Sequence, residues 1–196
     1  SPRRIEGAIA KLRAMKKPRD LARELAAYAM LLPDINEYAL AMRLSNEAVR
    51  LVAFEPDPLS SLVFSVLYAQ AEMLRLVGDA DAALASAKTL VARAERSINS
   101  EFIGFAQHSL ARTVRNQGQK ARAAELLDSC FQRALASGNV WEQFVSVIER
   151  IDLALETQSF SDARKGINRI APLRDKIDDP LTRAQFDLFA ASVLAH

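Results

Sequence analysis

The sequence predicts an all-α fold, an α-solenoid of antiparallel helical hairpins with about ten helices. Three observations support this prediction. Ala and Leu, which favour helices most, are the commonest residues of the chain, whereas Thr is rare. Apolar residues recur at three- and four-residue steps between isolated Gly and Pro breaks, and no segment alternates apolar and polar residues long enough to predict a strand. The pattern also repeats along the chain, which is typical of stacked helical units.

The helices follow one another between these breaks. The first shows the helical period in Ile5, Ile9 and Leu12. Linkers of mostly two to four residues make successive helices antiparallel neighbours. The predicted helices span residues 2–16, 18–32, 35–54, 58–77, 80–98, 100–117, 120–137, 139–157, 159–177 and 179–195.

The repeat has a period of 40 residues, which aligns Gly78 with Gly118 and Gln158. Columns of small or apolar residues keep this register, among them Ala83/Ala123/Ala163, Leu90/Cys130/Ile170 and Ala71/Ala111/Ile151. One hairpin cannot bury both of its apolar faces, so hairpins are expected to stack. We therefore expect residues 1–17 to form a basic amphipathic helix packed on the solenoid and residues 18–178 to form about four hairpins. Residues 179–196 would be the first helix of a further repeat or a capping helix.

In these repeated positions the chain resembles tetratricopeptide-repeat (TPR) proteins. The small residue Ala71, the turn at Gly78 and Ala83 carry the resemblance; the second copy keeps all three features, and the third keeps only Ala163. The spacing exceeds the family's usual ~34 residues and is similar to the longer repeats of MalT-type bacterial regulators. The resemblance implies a protein- or peptide-interaction scaffold acting as the regulatory module of an intracellular bacterial signalling or transcription-regulating protein.

The resemblance also implies that the first helix of each hairpin lines a concave groove. In the 40-residue register, the side chains expected to bind a partner there are Tyr68, Glu72, Arg75, His108, Arg112, Arg115, Asn116, Glu149, Asp152 and Glu156. This set has a basic centre beside an acidic wall, which complements a peptide with a central acidic group and basic groups beyond it.

Two alternatives stay open for these charges. They are solvated, or they pair with one another, as Arg112 with Asp152 and Arg115 with Glu156. The family's clamp for C-terminal carboxylates is not expected, because its Lys and Asn positions hold other residues here. The aromatic residues that begin the first helices are predicted to pack between repeats, namely Phe102, Phe105, Trp141 and Phe144.

No pattern typical of an enzyme occurs. All six glycines are isolated, which excludes a phosphate-binding loop. His108 and His196 are the only histidines and Cys130 the only cysteine, so zinc-ligand spacing is absent. Asp79 and Asp81 are interpreted as helix caps. We expect no catalytic site, cofactor or metal.

Charge and apolar pattern limit the partners. A net charge of +2 provides no field that favours nucleic acid or membranes. The basic residues near the start are interpreted as a solvated helix face, with an anionic partner as the alternative; they are Arg3, Arg4, Lys11, Arg13, Lys16, Lys17 and Arg19. A single cysteine and the lack of a ~20-residue apolar run predict a cytoplasmic protein.

Two other functions remain as alternatives to a peptide scaffold. One is a small-molecule sensor like that of MalT-type regulators. The other is a structural module that forms a homodimer through the apolar residues of the last helix, Phe186 and Phe189. In either regulatory reading, a ligand acts by favouring one solenoid curvature.

Overall fold

The computed structural model describes residues 2–14, 17–97, 99–177 and 179–194. Over these residues it confirms the all-α class, with ten α-helices and no strand. The helices are α1 (Pro2–Ala14), α2 (Pro18–Leu31), α3 (Tyr38–Val52), α4 (Ser61–Val77), α5 (Ala80–Glu95), α6 (Ser100–Asn116), α7 (Lys120–Ser137), α8 (Val140–Glu156), α9 (Phe160–Ile170) and α10 (Pro180–Leu194). Lys16 and His196, which entered the sequence arguments, lie outside the described residues, as do the side chains of Arg3 and Arg4.

Short polar side chains begin several of these helices. The carboxylate of Asp79 accepts a hydrogen bond of 3.1 Å from the backbone N–H of Ala82, which confirms Asp79 as the cap of α5. Asn99 and Asn139 cap α6 and α8 in the same way. Gly78 ends α4 with φ +81°, a left-handed conformation that glycine adopts without steric cost.

The structure corrects the bounds of several predicted helices. The predicted helix 159–177 is α9 followed by a 3-10 helix, Ala171–Lys176, because Pro172 has no N–H to continue the α-helical ladder. The predicted helix 35–54 begins only at Tyr38, because a separate 3-10 helix, Leu32–Ile35, precedes it and ends at Asn36, whose φ is +60°. The predicted helix 58–77 begins at Ser61, because the Ser60 side chain caps it.

The chain divides into two compact units, Ser1–Gln117 and Gly118–His196. In the first, α2 to α6 each pack on the next helix, and α4 also contacts both α2 and α6. Its core contains Leu25, Leu44 and Met73, and α1 joins it through Ile9, which is 2% exposed. The helices α2, α4 and α6 therefore lie side by side.

The second unit contains α7 to α10. Here α8 lies at the centre and contacts α7, α9 and α10. Phe144, Ile151 and Ile170 are fully buried in its core. Gly166 lets α9 approach α8 closely: a Cβ atom at this position would lie 2.6 Å from Cγ1 of Ile151.

The residues that recur every 40 positions are core residues. Ala83, Ala123 and Ala163 are at most 1% exposed, and Leu90, Cys130 and Ile170 are fully buried. The period therefore records equivalent packing positions within the units. The division into residues 1–17, 18–178 and 179–196 stays a prediction. Among the described residues, none of the helices has the length and hydropathy that crossing a lipid bilayer requires.

Candidate partner-binding site

The helices α4 and α6 place the predicted site residues of the first unit. Tyr68, Glu72 and Arg75 follow one another at four- and three-residue steps along α4, so they share one face of that helix. Arg112 and Arg115 do the same on α6. Because α4 and α6 contact each other, these two faces meet.

Glu72 is the centre of a buried polar cluster between α4 and α6. Its side chain is 2% exposed, and its Oε1 accepts a hydrogen bond of 2.8 Å from the hydroxyl of Ser109. Arg75 donates two hydrogen bonds to Oε2, of 3.1 Å from Nε and 2.8 Å from Nη2. A carboxylate this deeply buried needs such partners, because burial without them costs several kcal/mol.

Arg112 links this buried carboxylate to an aromatic surface. Its Nη1 lies 3.5 Å from Oε2 of Glu72 and donates a hydrogen bond of 3.3 Å to the hydroxyl of Tyr68. The ring of Tyr68 meets that of Phe105 edge to face, with 5.9 Å between centroids. Tyr68 also stacks on Phe64, with 6.4 Å between centroids. The guanidinium and the three rings therefore form one continuous group.

The structure corrects the expected exposure of two predicted contact residues. Glu72 and His108 were expected to face a groove, but they are 2% and 3% exposed, and Glu72 is buried because α6 packs on α4 at this position. Both side chains are therefore buried in this structure. Arg75, Arg112 and Arg115 are half-buried.

The remaining predicted residues are more accessible. Asn116 is exposed at the end of α6. In the second unit, Glu149 and Asp152 are half-buried on α8, whereas Glu156 is exposed and lies 3.9 Å from Lys120. Whether any of the ten residues binds a partner, and whether the predicted pairs between α6 and α8 form, stay predictions.

A cavity on the α2, α4 and α6 side of the first unit is a feature that sequence reasoning missed. It has a volume of about 380 Å³, and its lining includes Arg23, Met30, Phe64, Tyr68, Phe102 and Phe105. Phe102 stacks on Phe64 at 4.2 Å between centroids, which fits the predicted core role. Phe105 is 38% exposed and lines the cavity, so its assignment to the core was incomplete. The signal available in the sequence was the pair of aromatic residues, 102 and 105, on one face of α6.

Two of the basic residues near the start, Arg13 and Arg19, have acidic partners. Arg13 donates a hydrogen bond of 3.0 Å from Nε to Glu47 on α3. Arg19 lies 3.4 Å from Glu55. These pairs fit the interpretation of a solvated helix face better than a site for an anionic partner.

The second unit has its own buried polar group. Arg133 of α7 pairs with Glu142 of α8, whose side chain is 6% exposed. Burial raises the pKa of the neighbouring Cys130 thiol to about 11, although the charge of Arg133 opposes this shift. The thiol is therefore protonated at neutral pH, as expected for a packing residue. Within the described residues, His, Cys, Asp and Glu side chains do not gather in a group that would hold a metal ion.

Comparisons with known proteins establish the fold but not a family. No protein-family model matches the chain, and no curated protein matches it. A crystal structure of a Rap protein complexed with Competence and Sporulation Factor is similar, with a TM-score of 0.76 and 13% sequence identity. The match covers 96% of this chain and 50% of that chain, so this chain spans about half the length of that Rap protein. The similarity shows that the fold is a TPR-like solenoid of helical repeats.

Proposed function

We propose that this chain is a protein- or peptide-interaction module of an intracellular bacterial regulatory protein, and that it binds its partner on the α2, α4 and α6 face of the first unit. The observation that carries the proposal is the apolar cavity beside the Tyr68–Arg112 pair. Half-exposed aromatic, Met and Arg side chains of this kind are enriched in protein interfaces.

The buried cluster supports the proposal through preorganisation. Glu72 holds Arg75 and is 3.5 Å from Arg112, so both guanidinium groups keep their places without a ligand. Binding to an arginine side chain that is already fixed costs less conformational entropy than binding to one that must first be ordered. Arg112 is 30% exposed, so part of its surface is accessible.

The similar Rap protein supports a binding role, because its structure contains Competence and Sporulation Factor. In the proposal, Arg115 and Asn116 on α6 contribute further contacts on the first unit, where arginine side chains would favour a partner with acidic groups. That Glu149, Asp152 and Glu156 on α8 bind a partner is a separate proposal for the second unit. A ligand that prefers one solenoid curvature would then shift the population toward it.

Selection from a displayed library of random dodecapeptides, with the full chain immobilised, tests this function. We expect enriched peptides to bind the wild-type chain and to bind the Arg112→Ala variant at least about fivefold more weakly. Arg122→Ala is the matched control, because Arg122 forms an exposed pair with Glu125 in the second unit. A selection that enriches nothing above the bare surface would contradict the proposal.

A small-molecule sensor of the MalT type is the second candidate. The cavity volume of about 380 Å³ lies within the ~300–1,000 Å³ typical of ligand pockets. Thermal-shift screening with metabolites separates the two candidates, because a true ligand raises the melting temperature with occupancy.

Dimerisation through α10 is a third candidate, favoured by Leu188, which is 66% exposed. Phe186 is 5% exposed and packs on Phe144, so changing it would damage the core instead of testing a dimer. Ultracentrifugation of the Leu188→Ser variant is therefore the suitable measurement.

A further inference from the structure

We infer that the cavity of the first unit takes a bulky apolar side chain of a peptide that has a carboxylate next to this side chain, and that Arg23 pairs with that carboxylate. The inference rests on the proposed function and names the chemistry of its ligand.

The walls of the cavity require an apolar group. Phe64, Phe102 and Phe105 line it on the α4 and α6 sides, and Met30 lines it on the α2 side. Both Phe105 and Met30 are more than one-third exposed, so apolar surface remains in contact with water at the opening. Covering such surface with an apolar side chain is favourable in proportion to the area removed from water.

The lining of the cavity includes a cation. Arg23 of α2 is the only charged residue among the described lining residues, and its side chain is 61% exposed. Its described partner is Asp20, three residues earlier, at 3.5 Å and also exposed. An exposed pair of this geometry contributes little, so a ligand carboxylate can replace Asp20 at low cost.

The two features together specify the ligand. An apolar molecule without charge would fill the cavity but would leave Arg23 unused, and a polyanion would meet a single exposed cation beside apolar walls. A peptide that places Phe, Leu or Met beside a carboxylate satisfies both. The carboxylate has two sources, an Asp or Glu side chain or the C-terminus of the peptide.

The test uses fluorescein-labelled heptapeptides and the full chain, with dissociation constants from fluorescence anisotropy. In one set Phe is central, Asp occupies each nearby position in turn, the other residues are Gly and Ser, and the C-terminus is amidated. Matched sets replace Asp with Asn or Phe with Ser. A further set places Phe at the penultimate position and compares a free C-terminus with an amide, which separates the two sources of the carboxylate.

Two pairs of variants locate the binding. Ala27→Leu fills the cavity from an exposed position of α2, and Ala10→Leu is the matched control at an exposed position of α1. Arg23→Gln removes the cation, and Arg122→Gln is its control in a similar exposed pair. Ser65→Phe, at an exposed lining position of α4, is a second way to fill the cavity should Ala27→Leu lower the melting temperature.

We expect the best Phe-containing peptide to bind about tenfold or more tightly than its Ser counterpart. We expect the carboxylate to contribute a further two- to fivefold at low salt. Ala27→Leu should weaken binding about tenfold, and Arg23→Gln should abolish the preference for Asp over Asn or for a free C-terminus over an amide. Both control variants should bind as the wild type does.

The other possible results would contradict either this inference alone or the proposed function as well. Peptides that bind the cavity-filling variants as tightly as the wild type, or a wild type that binds the carboxylate and amide forms equally, would overturn this inference and leave the proposed function standing. If no heptapeptide binds but dodecapeptides are enriched in the selection, this inference is also overturned and the proposed function still stands. Failure of both the sets and the selection would overturn the proposed function as well.

Discussion

The hydroxyl of Ser109 donates a hydrogen bond of 2.8 Å to Oε1 of Glu72 and thereby joins α6 to α4 across 37 residues of sequence. Both residues are buried: Ser109 is 0% exposed and Glu72 is 2% exposed. The contact therefore belongs to the framework that holds Arg75 and Arg112 in place.

Glu72→Gln should lower the free energy of unfolding by about 3 kcal/mol, because removing one member of a buried ion pair leaves the other charge uncompensated. Ser109→Ala should cost about 1.5 kcal/mol, the usual contribution of a hydrogen bond to a charged group. Urea unfolding of the full chain measures both. Glu95→Gln changes an exposed carboxylate on α5 and serves as the control. Equal unfolding midpoints for Glu72→Gln and Glu95→Gln would show that the cluster does not stabilise the fold.

Gln158→Gly should raise the free energy of unfolding by about 0.5–1 kcal/mol. Gln158 has φ +57°, whereas Gly118, at the equivalent position one repeat earlier, has φ +79°. Glycine adopts this left-handed conformation without the steric cost that a side chain carries. Gly118→Ala should have the opposite effect of about 1 kcal/mol. Thermal melting of both variants measures the two shifts, and shifts of the same sign would contradict the explanation.

Gly166→Ala should destabilise the chain by about 1–3 kcal/mol, because the new Cβ would lie 2.6 Å from Cγ1 of Ile151 and would force α8 and α9 apart. Gly7→Ala is the matched control, since no atom lies within 4 Å of its Cβ position. This control should stabilise α1 slightly through helix propensity. Ile151→Ala, which removes both Cγ1 and Cδ1, should recover part of the loss caused by Gly166→Ala. The free energy of unfolding of the double variant decides this coupling.

Stability should fall at high pH because of Cys130. Burial raises the pKa of this thiol from 9.0 to about 11, so the folded state holds the proton more tightly than the unfolded state. The contribution is complete below pH 9 and is lost as the pH rises toward 11, by about 1.4 kcal/mol per pH unit. Cys130→Ala removes the titrating group and should show a smaller decline between pH 9 and 11. Identical slopes for the two chains would be inconsistent with the raised pKa.

The sequence predicted the candidate site in part. The helical period correctly placed Tyr68, Glu72 and Arg75 on one face of α4, because steps of three and four residues are set by backbone geometry alone. It did not reveal that Glu72 is buried while Arg112 is partly exposed, since burial depends on how far a neighbouring helix covers each position. For the same reason the sequence did not reveal that Phe105 lines a cavity, because residues of three helices, α2, α4 and α6, form its walls.

By itself, the sequence determined the all-α class, the order of the helices and the 40-residue repeat, because apolar spacing, Gly breaks and capping residues act over a few neighbouring residues. Only the tertiary structure decided which charges lie inside and where apolar surface stays open. These outcomes depend on contacts between distant residues, such as Ser109 with Glu72, and no local pattern encodes the distance between them.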